Sequence, residues 1–200
     1  RMQWLGGKPR VDVQSLRVKG GEAGVWHLQA PMYLMLADGS YRFSPFCLGN
    51  GAHSARVCAE DTGTAIAING TDFPLFLLEP WLNNAGKEFT YTGLASLNGE
   101  LPKDFTLAGT GFVNLRVPFL KIAVKPNIDT EVARIEDVHI EASWLGQRLS
   151  GSFSATLAQG GRVEGDLKTG FSDNAPLAGG LRVQIYDLAW LELFSLDISQ

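Results

Sequence analysis

No run of about 18 apolar residues occurs in this chain, so no segment reads as a membrane-spanning helix. The longest apolar stretch, Phe73 to Leu82, is interrupted by Pro74, Glu79 and Pro80. A basic surplus is also lacking. With 17 Lys and Arg against 21 Asp and Glu, the net charge of -4 gives no electrostatic footprint for a phosphate backbone, which excludes nucleic acid as a partner. Stretches rich in Ala, Leu, Glu and Lys are missing, and with them the helical bundle and the coiled coil. No G-x-S-x-G elbow or Walker loop is present, and Gly109-Thr110-Gly111 lacks the third glycine of a dinucleotide loop. The three histidines, His27, His53 and His139, lie on separate segments without HxH or HExxH spacing. Neither a metal site nor a cofactor is expected, and no catalytic constellation is visible. The chain opens Arg1-Met2 without a signal-peptide pattern and reads as a fragment of something longer.

What is present is a folding composition: 45% hydrophobic, 10% aromatic and only 19% charged residues, with 23 glycines. The main signal is period-2 alternation, which places successive side chains on opposite faces of a strand. Trp26, Leu28, Ala30, Met32, Leu34 and Leu36 fall on one face of a first run. Phe105, Leu107, Val113, Leu115 and Val117 alternate with polar residues in a second. Shorter runs are Val11-Val13, Ile66-Ile68, Phe89-Tyr91, Ile122-Val124, Val138-Trp144, Leu149-Leu157, Val163-Leu167 and Leu181-Val183-Ile185. Ten or more strands in an all-β chain are implied.

Turn dipeptides separate these runs: Gly20-Gly21, Asp38-Gly39, Asn50-Gly51, Asn98-Gly99, Gly160-Gly161, Asp173-Asn174 and Gly179-Gly180, so most connections are expected to be antiparallel hairpins. Gly93, Gly109, Gly111, Gly151 and Gly165 fall inside strand patterns, where they mark bulges, curvature or close backbone approach. Two short helices are expected. One starts at Asp72 as N-cap and ends at Pro80; the other spans Leu188 to Phe194 after Asp187. Each follows a short β run, which suggests a weak internal repeat of 11-86 and 120-200 within one continuous β unit covering 1-200. Alternation alone does not decide how the apolar face is covered, and composition favours a closed sandwich over an open trough.

Cys47 and Cys58 flank Asn50-Gly51. In an oxidising compartment they pair and close a ring of about 12 residues, worth about 3 kcal/mol. The alternatives are a zinc half-site, which lacks CxxC spacing, and two buried thiols. Asp61-Thr62-Gly63-Thr64 has the letters of an aspartic-protease turn, but Ala59 and Glu60 replace the hydrophobic lead-in and no second copy exists. A glycine-containing turn accounts for it. The five tryptophans, Trp4, Trp26, Trp81, Trp144 and Trp190, offer the platform of a secreted carbohydrate-binding β-sandwich module. Three of them, however, fall on apolar stripes, where packing is the commoner fate.

Several segments together resemble the TamB family of AsmA-like proteins. They are the run Trp26 to Leu36, Cys47-Leu48, Val57-Cys58 with the strand after it, Phe73-Pro74-Leu75, and Leu78-Glu79-Pro80-Trp81-Leu82. Pro176 to Leu181 followed by Ile185 to Leu191 is similar to the strand-then-short-helix units of that family. The resemblance implies a periplasmic segment of a Gram-negative envelope-spanning protein anchored in the inner membrane. It further implies an elongated, strongly curved antiparallel sheet forming an open apolar trough, the β-taco architecture. The function it implies is phospholipid transport to the outer membrane and outer-membrane protein assembly with a TamA-type outer-membrane barrel, without catalysis. The expected partners are phospholipid acyl chains and outer-membrane protein clients. The groove is then expected at Trp26, Leu28, Met32, Leu34, Leu36, Ile66, Ile68, Leu107, Val113, Leu115, Val117, Ile122, Val124, Leu181, Val183 and Ile185.

Overall fold

The computed structural model describes residues 2–5, 8–19, 24–37, 40–51, 53–78, 89–103, 109–124, 131–158, 160–170 and 175–186. About 80% of these are in strands, and the pairing throughout is antiparallel. In chain order the strands are β1 (Met2–Leu5), β2 (Lys8–Val13), β3 (Arg17–Lys19), β4 (Val25–Leu28), β5 (Met32–Ala37), β6 (Ser40–Phe43), β7 (Phe46–Asn50) and β8 (Arg56–Asp61). There follow β9 (Ala65–Pro74), β10 (Phe89–Pro102), β11 (Thr110–Val124), β12 (Glu131–Leu145), β13 (Arg148–Leu157), β14 (Gly161–Gly170) and β15 (Ala178–Ile185). β1, β2, β5 and β6 form a four-stranded sheet. The other eleven form one long sheet in the order β15-β14-β13-β12-β11-β10-β9-β8-β7-β4-β3. Among the described residues that sheet is open, with β15 and β3 as its edges.

From β7 to β15 the order is a simple up-and-down meander in which each strand pairs with the next in sequence, through short connections except between β9 and β10, where the chain from Leu75 to Glu88 intervenes. Asn50-Gly51 and Gly160-Gly161 act as turns, but Asn98-Gly99 and Gly179-Gly180 lie inside β10 and β15. Their dipeptides carry a turn signal that the surrounding pairing overrides, since both neighbouring strands supply partners for the Asn98 and Gly99 backbone.

The expected alternating face from Trp26 to Leu36 is divided. The chain bends at Gln29-Ala30, so Trp26 and Leu28 belong to the long sheet and Met32, Leu34 and Leu36 to the short one. The first expected helix is one 3-10 turn, Leu75–Leu78. Asp72 does not cap it: the residue sits within β9 at φ +54°, a left-handed conformation that aspartate tolerates, and Pro74 is still strand. The second expected helix, Leu188 to Phe194, and the residues Phe105 and Leu107 lie outside the described residues.

Irregularities in the long sheet follow local sequence. The β10–β11 register shifts between Gly93 and Ser96, and Gly93 adopts φ +153° with its α-carbon against the Phe119 carbonyl, a place with no room for a side chain. In β12 the β13 register shifts between Glu136 and His139, around Asp137 at φ +49°. The core is small. Leu75 of the 3-10 turn, Ala95 of β10 and Val117 of β11 form its buried centre, with Phe73, Tyr91, Leu115, Leu120 and Val138 packed around it. No large side chain among the described residues is fully buried, as expected where a sheet is covered on one face only in part.

Candidate functional site

Direct cross-strand partners share a face, so the register of the long sheet reveals what each face presents. One row runs through Leu28, Leu48, Val57, Gly70, Leu97, Leu115, Ile140, Phe153, Gly165 and Leu181, from β4 to β15. Two residues along, a parallel row runs through Phe46, Ala59, Ile68, Gly99, Val113, Ala142, Gly151, Leu167 and Gly179. Every position in both rows is apolar or glycine. A third, shorter row is Gly93, Leu120, Ile135, Leu157, Gly161 and Ile185, in which Leu120 packs on the Val117 cluster. At about 4.8 Å between strands, the first row is about 43 Å long.

The opposite face has the reverse chemistry. Its corresponding row is Cys47, Cys58, Asn69, Asn98, Asn114, Glu141, Ser152, Asp166 and Gly180. Cys47 and Cys58 are direct partners with Cα atoms 4.0 Å apart and form a disulfide. A one-residue slip anywhere would exchange the two faces, so the apolar pattern of each strand fixes its register.

The apolar face is covered unevenly. Near β7 the four-stranded sheet touches it: the Phe43 ring meets Phe46 edge-on at 5.6 Å, and the Tyr41 hydroxyl donates to the Lys103 carbonyl at 2.6 Å. Phe73 stacks on Trp26 at 5.3 Å, and the Leu75 turn covers Ala95 and Val117. From β12 to β15 the face is open. Ile140 is 41% exposed, Phe153 40%, Val183 47% and Leu181 68%. The Phe153 ring lies over Gly165 on the next strand, and the Trp144 ring over Gly111, so each glycine makes room for an aromatic that widens the apolar surface. Trp144 Nε1 is a buried donor without a partner among the described residues.

Of the residues expected to line a groove, the long sheet brings Trp26, Leu28, Ile66, Ile68, Val113, Leu115, Val117, Ile122, Leu181, Val183 and Ile185 to one face. Met32, Leu34 and Leu36 do not join them, because they lie in the other sheet with Val13, Val11 and Tyr41 as partners. Leu107 and the Val124 side chain fall outside the described residues. Leu48, Val57, Leu97, Ile140, Phe153 and Leu167 belong to the face as well. Leu97 was hidden by the turn-like Asn98-Gly99, whereas Ile140, Phe153 and Leu167 stand in alternating runs that carry the signal.

The Asp61-Thr62-Gly63 segment is a turn at the junction of the two sheets. Gly63, at φ +99°, donates its N–H to Asp61 Oδ1 at 2.7 Å, and Lys103 Nζ lies 2.6 Å from the same oxygen. The Asp61 side chain is only 5% exposed, and its Oδ2 has no partner among the described residues. Burial acts to raise its pKa. The Lys103 hydrogen bond, the Gly63 N–H, the lysine charge and the Phe43 N–H together outweigh it and hold the carboxyl below 3.8. A depressed folded-state pKa contributes stability above the unfolded value, and this is lost as pH falls through the folded one. Asp61→Asn is therefore expected to cost about 2 kcal/mol at neutral pH and to flatten the acid limb of stability below about pH 4. Urea unfolding of both proteins between pH 2 and 7 checks this; parallel curves would show that the ion pair contributes nothing.

Comparison with family models, curated proteins and solved structures finds no match for this chain.

Proposed function

We propose that this chain is a periplasmic segment of a TamB-like envelope-spanning protein, anchored in the inner membrane through its parent, and that its apolar face carries phospholipid acyl chains toward the outer membrane. The observation supporting this reading is the pair of uninterrupted apolar rows, which cross nine and ten strands and stay open from β12 to β15. A monomeric soluble domain rarely leaves so large an apolar surface uncovered without a client for it. Each methylene of a lipid tail that leaves water for such a surface gains about 0.8 kcal/mol, with no need of a polar recognition group. Headgroups stay in water. The Cys47–Cys58 disulfide fits an oxidising compartment.

A second reading, for outer-membrane protein clients delivered with a TamA-type barrel, rests on the edges of the sheet. β3 is three residues long and carries Arg17 and Lys19, a blunted edge. β15 is eight residues long with Arg182 as its one charge, and Leu181, Val183 and Ile185 extend the apolar rows to the edge, a surface suited to strand addition.

A photo-reactive amino acid placed in the full-length parent tests both. At Ile140 or Phe153 it is expected to label phospholipid in cells, and at Glu141, on the opposite face, it is not. Labelling of a protein from Val183 without lipid labelling from Ile140 would support the strand client instead. Equal labelling on both faces, or none on either, would reject an acyl-chain surface.

A further inference from the structure

We propose that the polar face of the long sheet holds a binding cleft for an uncharged oligosaccharide strand, on the side opposite the apolar rows. An open cleft of about 480 Å³ lies on this face beside the Cys47–Cys58 disulfide, and Asn69, Asn98, Glu100, Arg56 and Phe112 are among its lining residues. Asn69, Asn98 and Asn114 are direct cross-strand partners on β9, β10 and β11, so their amides form a ladder repeating at about 4.8 Å. Asn114 Nδ2 donates to Asn98 Oδ1 at 3.0 Å, which orients two of the amides and leaves the Asn98 amino group and the Asn114 carbonyl oxygen directed elsewhere.

The chemistry of this surface selects a class of ligand. An amide offers two donors and one acceptor in a plane, the complement of vicinal hydroxyls, each of which donates and accepts. Phe112, the partner of Glu100, is 37% exposed at the end of the ladder. Its ring face is electron-rich and packs well against the weakly positive C–H groups of a pyranose. Arg56 is the one cation among these lining residues, against Glu100 and Glu60, so the local charge disfavours phosphate or sulfate polymers. Trp26 and Trp144 take no part: Trp26 is stacked on Phe73 and Trp144 covers Gly111, both on the other face.

The test is calorimetric and NMR titration of the 200-residue chain with a tetramer of N-acetylglucosamine, with an anionic sulfated oligosaccharide in parallel. Saturable binding of the neutral tetramer is expected, weakened at least about tenfold by Asn98→Ala and by Phe112→Ala, a loss of about 1.4 kcal/mol each. Asn69→Ala, which removes an exposed amide with no partner in the ladder bond, serves as a third variant where either of the others unfolds. Ile140→Arg on the opposite face should leave the affinity unchanged, so the cleft and the acyl-chain surface fail or stand separately. No binding of the tetramer, preferential binding of the sulfated sugar, or binding indifferent to all three variants would overturn the proposal.

Discussion

Ile140→Arg is expected to leave the domain folded, within about 1 kcal/mol of its stability, and to abolish lipid delivery by the full-length parent. Ile140 sits in the longest apolar row between Leu115 and Phe153 and is 41% exposed, so the arginine stem can lie along the sheet while its guanidinium reaches water. A fixed cation there would oppose passage of an acyl chain, because burying it beneath hydrocarbon without a partner costs several kcal/mol. Leu115, one strand away, is a poorer probe: it packs on the Leu75, Ala95 and Val117 cluster, so its replacement mixes folding with function. The measurement is lipid labelling in cells together with the thermal midpoint of the purified chain. Normal lipid delivery by a stable Ile140→Arg protein would refute the conduit, and unfolding of the variant would show that this part of the face is a core.

Val117→Asp is expected to have the opposite outcome, loss of folding with no separable functional defect. Val117 of β11 is 3% exposed at the centre of the small core, packed with Leu75 of the 3-10 turn and Ala95 of β10 among apolar side chains. An unpaired carboxylate in that setting costs several kcal/mol, a large share of the 5–15 kcal/mol typical of a domain. Val117→Ala should cost only about 2 kcal/mol, for the lost methyl groups and the small cavity they leave. Urea midpoints for both variants check the ordering. A Val117→Asp protein as stable as Val117→Ala would show that the Leu75 turn does not seal the sheet at this point.

Two neighbouring strands therefore behave differently although their sequences look alike. Val113, Leu115 and Val117 alternate with Asn114 and Arg116 in the same way that Val138, Ile140 and Ala142 alternate with His139 and Glu141. Nothing in either pattern says that the first packs on the buried core at Leu115 and Val117 while the second, beyond Val138, is open at Ile140. The difference comes from Leu75, carried over the sheet by a turn that the sequence reads as a longer helix with Asp72 as its cap. The same lesson holds at Asn98-Gly99. Isolated, the dipeptide is a hairpin signal, but between β9 and β11 its backbone groups find partners on both sides, and the strand runs through it.

While the structure resolved the Cys47 and Cys58 alternatives as a disulfide, what the sequence determined by itself was the all-β class, the antiparallel hairpin connections and the separation of apolar from polar positions within each strand. These are local properties, because the period of two is imposed by the geometry of one strand and a hairpin needs only its own few residues. Only the tertiary structure decided that Met32, Leu34 and Leu36 leave the long sheet, that separate alternating runs align into unbroken rows, and that those rows are covered at one end and open at the other. Alternation within one strand restricts its register to pairings that keep the apolar side chains on one face, but it does not say which strands meet or what packs above them.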